Sequence, residues 1–308
     1  MSTIKIEDVA HVLFRAPDLG QMRAFVEDFG LAVTEATDQR LVARGSGPAP
    51  VAHVTEVGEP AFVGVAFRAG SAEDLERLAQ TEGLAAVDCD LPGGGRMVSL
   101  VDPDGHRVDV VAGQASAPPL DLAASQPWNR AESRERLRAV KRIAPGAANV
   151  VRLGHVVLNV SDFRASERWY KERFGFITSD EIQVAPEFAI GAFMRCDRGE
   201  TPTDHHTLFL LQGPKGPGFN HAAYEVADLD DLMRGHQRLK DAGRDAEWGV
   251  GRHILGSQVF DYWRDPWGHT LEHWTDGDLF TTADGSNISN LQELLGVQWG
   301  PQMPATMG

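Results

Sequence analysis

From Val9 to Leu31 the chain reads VAHVLFRAPDLGQMRAFVEDFGL. An apolar run with one central His predicts a strand. An Asp able to cap a helix follows, and apolar residues then recur on one helical face as far as Phe29-Gly30. Leu153 to Phe176, LGHVVLNVSDFRASERWYKERFGF, repeats this order with one inserted residue. A second pattern also occurs twice. FVGVAFRAGSAEDLERL (Phe62 to Leu78) and NHAAYEVADLDDLMRGHQRL (Asn220 to Leu239) both lead a strand into an acidic helix start. Each half closes on one kind of hairpin, DPDGHRVD from Asp102 and DPWGHTLE from Asp265. In both, Pro presets φ, Gly relieves the far side of a tight turn, and an acid stands three residues beyond His. The pattern predicts an α+β chain of four units, two per half, each a strand, a helix and a few further strands.

The halves are expected at residues 1–113 and 151–280, with a linker at 114–150 and a C-terminal tail at 281–308 that wraps the surface. The join is small and Pro-rich in AGQASAPPLDLAASQP, and IAPGAANVV closes it. Within it, NRAESRERLRAVKR (Asn129 to Arg142) mixes both charges and is expected to form a solvated helix. Composition is that of a globular protein, with 42% hydrophobic and 24% charged residues. The net charge of −15 argues against a nucleic-acid partner. No apolar run approaches the length that spans a bilayer, and the start carries no secretory pattern. Two cysteines, Cys89 and Cys196, make no disulfide framework, so a reducing cytoplasm is expected. Cys196 is expected to be a small buried hydrophobe.

The repeat separates residues kept for the fold from residues kept for chemistry. His11 aligns with His155, and Asp109 with Glu272. The position of His221, however, is occupied by Gly64 in the first half. The second half thus carries His155, His221 and Glu272 on three strands that the repeat makes equivalent members of one sheet. Two imidazoles and one carboxylate with open positions opposite are the ligand set of non-haem Fe(II) oxygenases. A lone strand histidine is more often a packed, hydrogen-bonded residue, which is the expectation for His11. His106 and His269 follow the same turn in both halves, so a structural role is expected. His273 should point away from Glu272, and one of His205 and His206 should point away from the other. Trp263 and Trp267 are expected in packing or pocket walls, and Phe193 in the core or the substrate pocket.

The stretch GRHILGSQVFDYWRDPWGHTLE, Gly251 to Glu272, has a specific resemblance. With His253, Tyr262, Asp265, Pro266, Gly268 and Glu272 in place, it resembles the C-terminal signature of the extradiol ring-cleavage dioxygenases of catechol 2,3-dioxygenase type. These belong to the vicinal oxygen chelate superfamily. The similarity is strong in the second half and weak in the first. Asp261 stands where that family usually has an apolar residue.

The resemblance implies two domains, each of two βαβββ units forming a curled sheet around a cleft, with the first domain lacking metal. It implies His155, His221 and Glu272 as ligands of Fe(II), with Mn(II) the alternative. It makes His206, in DHHTLFLLQ on the strand before His221, the acid–base histidine. It gives His253 and Tyr262 hydrogen bonds to bound catecholate and oxygen species. The implied reaction opens a small catecholic ring with dioxygen beside a hydroxylated carbon, giving a semialdehyde-type product, in a homo-oligomer. Two rivals use the same scaffold: a metal-dependent glyoxalase-like isomerase or lyase, and a non-catalytic aromatic-binding protein.

Overall fold

The computed structural model describes residues 2–122 and 126–305. Residues 123–125 of the expected linker and 306–308 of the expected tail lie outside the described residues. The first half runs β1 (Ile6–Ala16), α1 (Leu19–Phe29), β2 (Ala32–Ala36), β3 (Arg40–Arg44) and β4 (His53–Val57). It continues with β5 (Ala61–Ala69), α2 (Ala72–Glu82), β6 (Val87–Asp88), β7 (Arg96–Val101) and β8 (Arg107–Ala112). The second half repeats the order with β9 (Val150–Asn159), α3 (Phe163–Phe174), β10 (Ile177–Ala185), β11 (Phe188–Arg195), a short β12 (Thr203–Asp204) and β13 (Leu208–Leu211). Then come β14 (Gly218–Val226), α4 (Leu229–Asp241), β15 (Asp245–His253), β16 (Val259–Arg264) and β17 (Thr270–Thr275). These are the four βαβββ units of a vicinal oxygen chelate fold.

The helix boundaries follow the expected chemistry. Asp18 accepts from the Gln21 amide and Asp162 from the Ala165 amide, and both helices end at a left-handed glycine, Gly30 or Gly175. The DPxGH turns have one physical basis. The Asp102 carboxylate accepts from the amides of Asp104 and His106 and faces His106 Nδ1 at 3.1 Å. Asp265 does the same for Trp267, His269 and His269 Nδ1. His106 and His269 therefore hold turns, as expected.

The first half forms an eight-stranded sheet in the order β2-β3-β4-β1-β5-β8-β7-β6. The second forms a ten-stranded sheet whose two outermost strands come from the tail: β19 (Asn287–Asn290) pairs with β10, and β20 (Val297–Trp299) pairs with β15. Preceding them, β18 (Leu279–Phe280) pairs with β12, and α5 (Leu291–Leu295) connects β19 to β20. This connection requires curvature. Ten flat strands would span about 43 Å at the usual spacing, whereas the link from Asn290 to Val297 reaches at most about 25 Å. The tail does more than wrap the surface: it joins the edges of the curled sheet and closes one side of its cleft.

One apolar core runs through both halves, from Phe14, Phe29 and Phe67 to Tyr170, Tyr224 and Trp263. Buried polar links cross it, His53 Nδ1 with the Tyr224 hydroxyl at 3.2 Å and His273 Nε2 with the Phe29 carbonyl at 2.7 Å. The helix expected over Asn129 to Arg142 does not form; the stretch is irregular. Its apolar residues have nothing to pack against, with Leu137 87% and Val140 61% exposed, and a short helix without a buried face is marginal in water.

Candidate metal centre

The sheet register assembles the site. On β9, His155 lies opposite Ala223 of β14; Ala223 is level with Glu272 of β17, and Glu272 is opposite Tyr262 of β16. Residues level across a sheet share a face, and so do residues two apart on a strand. His221, two before Ala223, therefore joins this row, and the small Ala223 leaves room between His155 and Glu272. Backbone packing also sets the position of His155. A Cβ on Gly154 would lie 2.5 Å from the Trp274 ring, so only glycine lets the indole cover the strand there.

One donor atom from each of His155, His221 and Glu272 lies within 4.8 Å of the others, and all three residues are buried. The Nε2 atoms of both histidines stand 3.3 Å from Glu272 Oε2. No aligned hydrogen bond reaches either Glu272 oxygen among the described residues. A fully buried carboxylate left this way is costly unless a cation completes it, so the donor set fits a divalent ion. His221 is prepared for that role, since its Nδ1–H donates to Asn220 Oδ1 at 2.8 Å and its Nε2 is left with a lone pair. Burial alone would raise the Glu272 carboxyl, but in the metal-free site a proton on either facing imidazole, His155 or His221, outweighs burial and holds it well below the carboxylate range. Burial pushes His155 down, so its ring stays neutral, as a ligand must be.

The other expected residues gather around the same point. His253 Nε2 lies 2.9 Å from the Tyr262 hydroxyl and 3.8 Å from Glu272 Oε1. Burial lowers His253 to about 4 and, with Glu272 beside it, raises Tyr262 well above the usual phenol range. The His206 ring lies 4.0 Å from the His155 ring, and burial holds it well below the ordinary histidine value. His206 stands in the turn just before β13 instead of within that strand. His205 is consequently not simply turned away: its Nδ1 lies 3.0 Å from His206 Nδ1.

His155, His221, His206, His253 and Tyr262 line a cavity of about 340 Å³. The rest of its wall is largely apolar, with Phe193 stacked on Phe209 at 3.9 Å, together with Ile190, Leu255 and Trp248. The tail supplies Leu291, Leu294, Leu295 and Met303. Trp263 is buried in the core and Trp267 packs against it, so neither lines this cavity. Asp261, the departure from the family pattern, is buried where it accepts from Trp263 Nε1 at 2.6 Å and faces His236 Nδ1 at 3.1 Å. Cys196 is buried and its thiol is pushed up by burial, as befits a packing residue. The sequence pattern missed Asn220, Trp248 and the tail residues, because no periodicity marks which apolar side chains face a cleft.

Fold and site together define the class. Residues 152–273 match the Glyoxalase/Bleomycin resistance protein/Dioxygenase superfamily. The chain is similar to Metapyrocatechase 2 of Cupriavidus necator, 28% identical over 97% of this chain and 90% of the relative. It is also similar to the iron-dependent extradiol dioxygenase of Rhodococcus jostii, 24% identical over 85% of this chain and 78% of the relative. The Mn(II)-bound glyoxalase from Novosphingobium aromaticivorans shares the fold, with a TM-score of 0.79, 24% identity, and coverage of 99% of this chain and 95% of that one.

Proposed function

We propose that the protein is an extradiol dioxygenase that uses a metal held by His155, His221 and Glu272 to cleave a catechol-type ring with dioxygen. One observation carries this reading: His155 and His221 of the clustered triad line a largely apolar cavity together with His206, His253 and Tyr262. The relationship to extradiol dioxygenases over most of the chain supports it. Fe(II) is the proposed ion, with Mn(II) as the alternative, since both accept two imidazoles and a carboxylate. The bound ion would polarise the catechol oxygens and bring dioxygen beside the ring.

The chain's own groups do the rest. The apolar wall holds the ring and excludes water. His206 exchanges a proton with a substrate oxygen. The Tyr262 hydroxyl and His253, already 2.9 Å apart, hydrogen-bond the developing anionic oxygen. The glyoxalase neighbour gives the isomerase reading its weight, but such enzymes typically take a fourth protein ligand. Among the described residues the cluster offers three. Among the described residues no helix is long and apolar enough to cross a membrane. A cytoplasmic site is part of the proposal, supported by Cys89 and Cys196 being free. A homo-oligomer is also part of it, supported by the exposed Val184, Phe188 and Ile288 around the β10–β11 turn.

The test is anaerobic reconstitution with Fe(II) or Mn(II), followed by catechols and air, with dioxygen uptake and visible absorbance recorded together. Coupled uptake and a coloured ring-opened product, absent in His221→Ala, are expected. Metal-loaded protein that turns over none of the catechols but isomerises a glyoxalase substrate would overturn the reading.

A further inference from the structure

Behind His206 lies a chain of buried groups that the reaction as described leaves without a role. His205 Nδ1 is 3.0 Å from His206 Nδ1, and His205 Nε2 is 2.6 Å from Asp180 Oδ2 on β10. The other Asp180 oxygen accepts from the Ser289 hydroxyl at 3.0 Å, and the Asn287 side chain also donates to this carboxylate. Both residues belong to β19, the edge strand supplied by the tail. The His205 carbonyl accepts from Ser179 at 2.6 Å, which fixes the backbone that carries both histidines.

The donor rules leave few arrangements. Between two Nδ1 atoms exactly one hydrogen is shared, so one ring donates and the other accepts. Asp180, receiving donors on both oxygens, is a carboxylate and draws the His205 proton to Nε2. These donors, His205 foremost, outweigh burial and hold Asp180 below its ordinary range. A neutral His205 then offers a lone pair at Nδ1, and His206 must donate from Nδ1 and carry its own lone pair at Nε2. A doubly protonated His205 would reverse the last step. It would also add a cation beside a site built for a divalent ion, with His155, His206, His221 and His253 packed around it.

We infer that Asp180 and His205 are positioning residues that fix His206 in the Nδ1–H tautomer, so that a basic Nε2 faces the substrate cavity, and that Ser289 of the tail secures Asp180 for this purpose. When His206 Nε2 takes a proton from a catechol hydroxyl, Nδ1–H stays donated to His205, whose Nε2–H stays donated to Asp180. The carboxylate then stabilises the positive charge through two hydrogen bonds without moving a proton itself, the logic by which a buried acid orients a catalytic imidazole. The tail thereby acts on the reacting group as well as closing the cavity.

The base role rests on the proposed function, but the tautomer does not, so the two can fail separately. The first experiment is 15N NMR of histidine-labelled, metal-free protein. A protonated Nδ1 and an unprotonated Nε2 on His206 are expected, and an Nε2–H tautomer in the wild type would overturn the inference. Asp180→Asn is the informative variant. Ser289 and Asn287 would occupy its oxygen and turn its NH2 toward His205 Nε2, forcing both imidazoles into the opposite tautomer. The His206 signals should exchange, and in the metal-loaded enzyme kcat should fall about a hundredfold, the scale of acid–base catalysis, while KM and bound metal change less than about twofold. An unchanged tautomer in Asp180→Asn refutes the relay. If that variant does not fold, Ser289→Ala, which removes one donor only, replaces it. It should show a mixture of His206 tautomers, and a pure Nδ1–H population with full kcat would refute the role of the tail.

Discussion

His11 on β1 and His155 on β9 occupy the same place in two copies of one design, as do Asp109 and Glu272, and an alanine stands between each pair, Ala66 or Ala223, yet other neighbours differ. Across from Glu272 stands Tyr262, and across from Asp109 stands Ser99, whose hydroxyl donates to the carboxylate at 2.6 Å. Beside His221 in the sheet is Thr270; beside Gly64 is Arg107, which donates from Nε to Asp109 at 2.9 Å. The first half has thus neutralised its acid with a guanidinium and a hydroxyl. The second leaves its acid without an aligned donor, facing two imidazoles. The backbone also differs at Gly64, because a Cβ there would lie 2.1 Å from the Arg107 carbonyl oxygen, so no side chain fits where the second half carries His221. The lesson is that the proposed ion site leaves a buried charge incomplete, whereas the first copy of the fold completes that charge internally.

The largest effect that could break this comparison is on metal content. His221→Ala and Glu272→Ala should each lose the bound metal and reduce turnover by about a thousandfold or more, since an open three-ligand site tolerates no further loss. His11→Ala and Asp109→Ala should keep one metal per chain and most of the activity. Elemental analysis with dioxygen uptake separates the two pairs, and metal loss from the first-half variants would end the contrast.

A smaller effect tests the backbone argument. Gly64→His restores the missing ligand type but must push strand β8 aside. Denaturant unfolding should show a loss of about 1–3 kcal/mol, as overpacking a core usually does, with metal stoichiometry unchanged. A second bound ion at full stability would show that the position had merely drifted.

The mildest effect concerns acid. Burial lowers His53 and His273 from 6.5 to about 4 in the folded protein. The unfolded chain therefore binds protons that the folded one does not between those values. Their stabilisation is complete above about 6.5 and fades as pH falls toward 4. Because His53 bonds to Tyr224 and His273 to Phe29, the weakening falls on the seam between the halves. Metal-free protein should melt at lower temperature as pH drops through this window, and in one transition. Two separated transitions would mean the halves are held together by less than their shared core suggests.

How much of this was legible depended on repetition. The DPxGH turn, the capped helices and the aligned histidines appear twice in the chain, so the repeated pattern carried its own control. It sets Gly64 against His221 in the sequence alone. The stretch around Leu137 misled because helical composition was present without a buried face to stabilise it. Asp180, Asn220 and Ser289 gave no signal at all. A carboxylate, an amide and a hydroxyl are ordinary surface residues until a fold sets the first two against imidazoles and the third against the carboxylate.

By itself, the order of residues determined the four-unit architecture and the second-half set His155, His221 and Glu272. Both follow from local periodicity, turn chemistry and alignment of one half with the other. Only the tertiary structure decided which side chains meet the site from outside that alignment. The tail joins both edges of the curled sheet, its leucines face the cavity, and its Ser289 reaches Asp180 behind His205. The physical reason is that strand pairing fixes distances between residues far apart in sequence, and a hydrogen bond across such a distance leaves no periodic trace in either partner.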